Sequence, residues 1–186
     1  MNYYIADCHF GDAEVIAFSH RPFRSVEEMD EAMIARWNRT VKVSDDVYIV
    51  GDLMYRTDDP EKYLRRLNGR LHLILGNHDR LLESMPEARA HFCEMTQYAT
   101  IQDHGHRIVL FHYPMMEWEG YYYGTWHIYG HIHNHPSLTQ ERVKALPKAL
   151  NCGADVVGFR PCTFDELVAI NKRDGARSKC PQGAVR

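Results

Sequence analysis

The chain has 186 residues, of which 45% are hydrophobic and 25% are charged. This length suits one domain with a sizeable core and is too short for two domains of ordinary size. No apolar run approaches the ~20 residues that a membrane-spanning helix needs. A net charge of -3 and the lack of a basic run disfavour a duplex nucleic-acid partner held through its phosphates.

Five cysteines are present. Their number is odd and no Cys-x-x-Cys pair occurs, which argues against a disulfide framework and for a reducing compartment. The N-terminus has no basic stretch followed by an apolar one, so no secretory signal is expected. The sequence therefore predicts a cytoplasmic protein without a membrane partner, and it leaves the oligomeric state open.

The first half of the chain alternates between strand and helix patterns. Strands are predicted at 2–7, 46–50 and 71–75, and helices at 26–39, 61–67 and 81–91. Ser25 and Glu28 form the Ser-x-x-Glu capping box that opens the first of these helices. Asp59 and Pro60 are typical of the start of the second one.

The second half is richer in strands. A hairpin is predicted at 96–112, strands at 126–129 and 149–152, and a short last helix after the capping box Thr163-Phe164-Asp165-Glu166. We expect one domain over residues 1–171 and a polar tail over 172–186. The element order predicts an α/β or α+β sandwich whose strands are mostly parallel early and antiparallel later.

Short apolar runs are followed five times by side chains that bind metals. These segments are Asp7-Cys8-His9, Gly51-Asp52, Gly76-Asn77-His78-Asp79, His112 and Gly130-His131-Ile132-His133. Open α/β sheets hold their sites at the carboxyl ends of their strands, so we expect the five segments to meet. Carboxylate, imidazole and amide ligands suit hard-to-borderline divalent metals rather than a structural zinc bound by thiolates.

In this order the five segments resemble the signature of the calcineurin-like metallophosphoesterase superfamily, and the match spans residues 7–133. The resemblance implies a four-layer α/β/β/α sandwich with two divalent ions, which could be Mn, Fe, Zn, Ni or Co. It assigns Asp7, His9, Asp52 and His133 to one ion and Asp52, Asn77, His112 and His131 to the other. Asp52 would bridge, because a carboxylate has two oxygens. His131 and His133 would address one cavity if their segment is extended.

The resemblance also implies the hydrolysis of phosphate esters. A hydroxide between the ions, beside Asp52, would attack phosphorus in line, and His78 would protonate the leaving oxygen. Short loops around the site favour small diesters over monoesters. Many relatives orient this histidine with an acid shortly after the Gly-Asp segment. That acid is missing here, since Leu53-Met54-Tyr55 follows, and Asp58, Asp59 and Asp79 are the candidates to replace it.

Other residues have two interpretations each. Arg21 and Arg160 are candidates for binding phosphate oxygens, or they form surface ion pairs. Cys8 is expected to be a small buried hydrophobic residue. The aromatic residues between Trp118 and Trp126 either stack a planar leaving group near the site or pack their loop onto the sheet.

Two other functions remain open at this stage. A slow site that binds metal and phosphate would make the protein a sensor or scaffold, and the missing orienting acid is compatible with that function. A nuclease acting on short nucleic acid is the second alternative, although the acidic composition disfavours long polymers. A phosphoesterase with a small phosphate-ester substrate accounts best for the complete set of ligands.

Overall fold

The computed structural model of the protein describes residues 1–55, 57 and 59–177, with side chains described as far as residue 172. The strands are β1 (Asn2–Ile5), β2 (Asp46–Ile49), β3 (Arg70–Ile74), β4 (Phe92–Thr96), β5 (Tyr98–Asp103), β6 (His106–Phe111), β7 (Trp126–Tyr129) and β8 (Ala149–Asn151). The helices are α1 (Glu14–Phe18), α2 (Val26–Thr40), α3 (Glu61–Leu64), α4 (Arg80–Ser84), α5 (Pro86–Arg89), α6 (Leu138–Lys144), α7 (Ala154–Val157) and α8 (Phe164–Arg177). None of the helices in this part of the chain has the length and apolar content that a bilayer crossing requires.

The strands form two four-stranded sheets. The first has the order β1-β2-β3-β4 with parallel pairing throughout, and the second has the order β5-β6-β7-β8. Only β5 and β6 pair in antiparallel fashion, whereas β6, β7 and β8 are parallel. The expected antiparallel pairing of the later strands is therefore wrong beyond the hairpin. Long connections precede β7 and β8, and connections of that length are what parallel neighbours need.

Strand β4 is a separate element that the sequence analysis missed. Its residues carry no apolar run, because it lies at the edge of the first sheet with Cys93 and Glu94 exposed. Helices α1, α6 and α7 were also missed. They have only four to seven residues, too few to show a helical period.

The two sheets face each other and share one core. Tyr4 and Tyr48 stack with ring centroids 5.7 Å apart on the face of the first sheet that is turned inward. The hydroxyl of Tyr4 crosses to the second sheet, where it donates a hydrogen bond of 2.7 Å to Asp103. Buried apolar residues from both sheets form a single cluster.

Helices cover the outer faces. Trp37 of α2 is buried beside the first sheet and donates a hydrogen bond of 2.9 Å to the carbonyl of Asn68. Helix α8 lies on the second sheet, where Asn171 exchanges hydrogen bonds with Asn151 of β8. Two sheets flanked by helices confirm the predicted α/β sandwich.

Both predicted capping boxes lie at helix starts. The Oγ of Ser25 accepts a hydrogen bond of 3.2 Å from the backbone N–H of Glu28. Thr163 and Glu166 cap each other reciprocally at the start of α8. This helix continues to Arg177, past residue 172 where the polar tail was expected to begin. Residues 178–186 of that predicted tail lie outside the described residues.

Backbone hydrogen bonds join the carboxyl ends of the strands across both sheets. Asp7 N donates to the carbonyl of Gly51 at 2.9 Å, which ties the ends of β1 and β2 together. Gly130 N donates to the carbonyl of His112 at 2.9 Å, which does the same for β6 and β7. A further hydrogen bond of 2.9 Å from Ala6 N to the carbonyl of Cys152 joins the end of β1 to the end of β8 in the other sheet. The segments that follow these strands therefore start from one shared edge.

Candidate metal centre

Most of the predicted metal ligands have a left-handed backbone. Positive φ angles occur at Asp7 (54°), His9 (54°), Asp52 (55°), His131 (69°) and His133 (48°). Residues other than glycine rarely adopt this conformation, which costs on the order of 1–3 kcal/mol each and concentrates at functional sites. The extended geometry expected for the last two histidines is thus wrong. Their turns aim the two rings at two different groups of ligands.

The first group contains Asp7, His9 and His133, whose ligand atoms all lie within 4.8 Å of one another. All three residues are buried. Neither ring nitrogen of His9 makes a hydrogen bond to another described residue. Leaving a buried polar atom unsatisfied costs about 1–3 kcal/mol, whereas an ion bound at this group would satisfy one nitrogen. The residues present therefore fit a metal ion.

His133 is held in place by a buried ion pair. Its Nδ1–H donates to Oδ2 of Asp155 at 2.7 Å, which leaves Nε2 for the ligand group. The same carboxylate receives two hydrogen bonds from the guanidinium of Arg21, at 2.8 and 3.1 Å. Burial alone would lower the pKa of His133, but the Asp155 carboxylate raises it. Carboxylates behind a ligating histidine commonly fix its tautomer and orientation in this way.

The second group contains Asp52, His112 and His131, again with ligand atoms within 4.8 Å of one another. Nδ1–H of His112 donates to the carbonyl of Val50 at 2.9 Å. Its Nε2 consequently faces Oδ2 of Asp52 at 3.3 Å and Oδ1 of Asn77 at 3.2 Å. The predicted ligand Asn77 thus joins this group through its amide oxygen.

Asp52 lies between the two groups. Its Oδ2 is 3.3 Å from Nε2 of His112 in the second group and 3.8 Å from Nε2 of His9 in the first. Burial would raise the pKa of Asp52, but His112 lowers it to about 2, so the carboxylate is ionised. For His112 the opposing effects of burial and the Asp52 carboxylate leave the pKa raised to about 9. The position of Asp52 between the two groups is the one that a carboxylate shared by two ions would need.

A second buried aspartate clamps the ligand loops. Asp79 accepts hydrogen bonds from the backbone N–H groups of Asp52 (2.7 Å), Leu53 (3.0 Å) and Gly76 (2.8 Å). Burial raises its pKa to about 6. Since these contacts occupy its carboxylate, Asp79 holds the loops rather than orienting His78.

The other two candidates for that orienting role give no support either. Asp59 caps α3 through a contact of 3.3 Å with the backbone N–H of Lys62, and Asp58 lies outside the described residues. The ring of His78 instead lies edge-on to Tyr55, with centroids 4.8 Å apart.

Two glycines make the close approach of the loops sterically feasible. A Cβ at Gly76 would lie 2.2 Å from Oδ1 of Asp52. A Cβ at Gly51 would lie 2.1 Å from Nδ1 of His112, and this residue also has a φ of +88°. Any side chain at these positions would displace a ligand.

The ligands open onto a cleft of about 290 Å³. Its wall contains His9, Asp12, Glu14, Val15, Phe18, Asp52, Tyr55, Asn77, His78, His131 and His133. The side chain of His78 is 35% exposed, and its Nε2 lies 4.0 Å from Oδ2 of Asp52. The predicted proton donor therefore faces the cleft beside the residue that lies between the two groups.

Comparison with known proteins places the chain in a family. It is 32% identical over 171 residues to uncharacterized protein MJ1445 of Methanocaldococcus jannaschii, across 90% of this chain and 89% of that protein. It also resembles the crystal structure of AQ665, a protein of unknown function from Aquifex aeolicus. That likeness has a TM-score of 0.71 and 25% identity, across 91% of this chain and 98% of that one. No family model matches the chain.

The identity and the coverage of the first comparison decide the relationship. The chain belongs to one family with MJ1445. The phosphoesterase Yfce from E. coli is 15% identical, with a TM-score of 0.37 across 82% of this chain and 77% of that one. At that TM-score the likeness supports no further argument.

The structure does not place either predicted phosphate-binding arginine in the cleft beside the two ligand groups. The guanidinium of Arg21 is fully buried and bound to Asp155 and to the carbonyls of Asp7 and Cys8. Arg160 pairs with Glu166 at 2.7 Å beside the start of α8. All donors of Arg21 are taken, so its role is to hold the carboxylate behind His133.

Other sequence interpretations can be compared directly with the structure. Cys8 is fully buried, as predicted, and burial raises the pKa of its thiol. Trp118 is buried against Tyr121 and His127, so it packs its loop onto the sheet. The predicted stacking residues of this segment do not line the cleft.

Sequence analysis missed Asp155 and the clamping role of Asp79. Asp155 lies 22 residues beyond His133, outside every motif of the superfamily pattern. Its only local signal is a place in the first turn of the short helix α7. Asp79 lies within a motif, but its position beside His78 led to the prediction that it orients that histidine rather than the loops.

Proposed function

We propose that the protein is a dinuclear-metal-dependent phosphoesterase that hydrolyses small phosphodiesters. The observation that carries the proposal is the position of Asp52, whose Oδ2 lies within 4 Å of both His9 and His112. One carboxylate between two groups of ligands suits two ions that share it. The ring nitrogens of His9 make no hydrogen bond within the described residues, although Nδ1 lies 3.4 Å from Oδ2 of Asp12, and this supports the same arrangement.

Each residue of the site would have its own role in hydrolysis. Two divalent ions in these groups would activate a water for in-line attack and neutralise the phosphate oxygens as charge develops. Asp52 would hold both ions in register, and the Asp155 carboxylate would keep His133 in its ligating tautomer. His78 would give a proton to the leaving oxygen. Burial lowers the pKa of His78 and the nearby Asp52 carboxylate opposes that shift, so the ring carries its proton less often at neutral pH than a free imidazole does.

The charges of the cleft favour a diester over a monoester. Among the described residues that line it, none is lysine or arginine, whereas Asp12 and Glu14 are acidic. A monoester carries up to two negative charges and a diester carries one. The ions would have to offset more repulsion for the monoester, so the diester binds with less electrostatic cost.

The proposal is tested with metal-stripped protein reconstituted separately with Mn, Zn, Ni and Co. Bis(4-nitrophenyl) phosphate and 4-nitrophenyl phosphate are assayed, and bound ions are counted in the same samples. We expect two ions per chain and faster turnover of the diester. Two ions without turnover of either ester would contradict the proposal and favour a sensor or scaffold. A cytoplasmic location stays a prediction.

A further inference from the structure

A second pocket of about 230 Å³ adjoins the metal centre. Its lining residues are Leu75, Gly76, Asn77, Arg80, Glu83, Gln97, Phe111 and Tyr113. Asn77 lines both this pocket and the metal cleft. A group attached to a phosphate in the cleft could therefore extend into the second pocket past Asn77.

Three polar side chains of this pocket have no partner within the described residues. Arg80, Glu83 and Gln97 are exposed, and none of them forms a side-chain hydrogen bond or ion pair there. Two surface arginines elsewhere form ion pairs, Arg66 with Glu31 and Arg107 with Glu119. The pocket therefore presents a cation, an anion and an amide that are free to bind a ligand.

An aromatic row leads from the same pocket to the metal ligands. The ring centroid of Tyr113 lies 4.5 Å from that of His131 and 5.7 Å from that of Phe111. Phe111 in turn lies 6.3 Å from Tyr98. Tyr113 is 38% exposed, so its ring can stack against a planar group. Such stacking contributes about 1–3 kcal/mol per base in proteins that bind single-stranded nucleic acid.

We propose that this pocket binds a nucleobase joined through its sugar to the scissile phosphate. A stacking ring together with donors and acceptors at the rim suits a planar heteroaromatic group, because such a group has a π face and a polar edge. A purely apolar aryl group would leave Arg80, Glu83 and Gln97 unused. The substrates are then nucleotide-type phosphodiesters. This inference rests on the proposed function and adds the substrate class.

Two substrates with the same leaving group test the inference. Thymidine 5′-(4-nitrophenyl phosphate) has a base, whereas methyl 4-nitrophenyl phosphate has none, and both release nitrophenolate. We expect kcat/KM of the metal-loaded enzyme to be about tenfold or more higher for the thymidine ester. The ratio of the two kcat/KM values should fall roughly fivefold in Gln97→Ala and in Arg80→Ala, since each variant removes one hydrogen-bonding group.

Matched control variants separate the loss of base binding from a general effect of removing a surface side chain. Gln102→Ala and Arg142→Ala remove exposed side chains of the same types that line neither pocket, and their ratios should equal that of the wild type. Equal kcat/KM for both esters would overturn the inference while turnover of the methyl ester upheld the proposed function.

If the protein turns over neither ester, the inference can still be tested by ligand binding. The binding of thymidine 5′-monophosphate and of methyl phosphate to the metal-loaded protein is then compared by calorimetry. Tighter binding of the nucleotide that weakens in Gln97→Ala would support the pocket although the proposed function had failed. Equal binding of the two phosphates would overturn it.

Discussion

His133 donates a hydrogen bond of 2.7 Å to Asp155, and this contact connects a predicted metal ligand to a buried ion pair. The side chains of Arg21 and Asp155 are 0% and 1% exposed. Arg21 also donates to the backbone carbonyl of Asp7, a ligand of the same group. The pair therefore supports the first metal group from behind.

Asp155→Asn should weaken that group and destabilise the fold. The amide is a poorer acceptor for Nδ1–H of His133, and loss of the carboxylate behind a ligating histidine typically costs roughly 10–100-fold in metal affinity. The buried charge of Arg21 would also lose its counterion, which costs about 3–5 kcal/mol of unfolding free energy. Metal titration calorimetry and urea unfolding of the metal-free protein measure the two effects. Asp165→Asn, at an 81% exposed side chain, is the control. Wild-type affinity in Asp155→Asn would contradict the positioning role.

Asp52→Asn should abolish binding of both ions, because Oδ2 of this residue faces each ligand group. An amide has one oxygen and no charge, so it serves a pair of cations poorly. The ion count per chain, measured by elemental analysis after dialysis, should fall from two towards zero. Asp46→Asn removes a carboxylate that instead pairs with Arg70 and His72, and it should retain two ions. Two ions in the Asp52 variant would refute the bridging assignment.

His78→Ala should keep the ions and slow the reaction. A general acid contributes about 10²–10⁴-fold, and the need for it grows as the leaving group becomes more basic. The loss in kcat should therefore be larger for an alkyl diester than for the nitrophenyl diester. His104→Ala, which removes an exposed imidazole, controls for a general effect of losing a histidine. Equal losses for the two leaving groups would show that His78 does not protonate the leaving oxygen.

The candidate metal ligands could be predicted from the sequence because each comes shortly after a local pattern. Asp7, Asp52 and Asn77 come two or three residues after their strands end. Parallel strands bring their carboxyl ends to the same edge, so the order of the motifs was enough to predict that they meet. The direction of individual side chains was not predictable in the same way. It depends on left-handed turns at residues such as His131, which are not glycine.

The supporting contacts could not be predicted, because they join parts of the chain that are remote in sequence. Arg21 and Asp155 are separated by 134 positions, and neither has a local pattern that indicates its partner. An arginine near the motifs was therefore interpreted as binding substrate phosphate. The guanidinium of Arg21 is instead buried and paired with Asp155, because a buried guanidinium needs a carboxylate partner.

His127 makes stability depend on pH in the acidic range. Burial lowers its pKa from 6.5 to about 4, against the opposing effect of the Val109 carbonyl. Between these values the unfolded chain binds a proton that the folded protein does not, so stability falls as the pH falls through this window. At about pH 4 the titration of His127 lowers the free energy of unfolding by roughly 3 kcal/mol relative to neutral pH.

Urea unfolding of the wild type and of His127→Gln, measured between about pH 4 and pH 7, isolates this residue. Glutamine does not titrate, and it can replace both the contact to Val109 and the one from Met115 N. The wild type should lose more stability on acidification than the variant. Parallel curves would show that His127 does not cause the loss of stability on acidification.

Gly76→Ala should impair the metal centre although it adds a single methyl group. The new Cβ would lie 2.2 Å from Oδ1 and 2.7 Å from the backbone N of Asp52, so the Asp52 loop or the Asn77 loop must move. We expect weaker binding of both ions and a loss of turnover. Gly105→Ala is the matched control, because its Cβ meets nothing within 4 Å and only its φ of +79° opposes the change. That variant should lose about 1–2 kcal/mol of stability from the strained backbone and keep its ions. Wild-type ion binding in Gly76→Ala would mean that the two loops need not approach each other to form the centre.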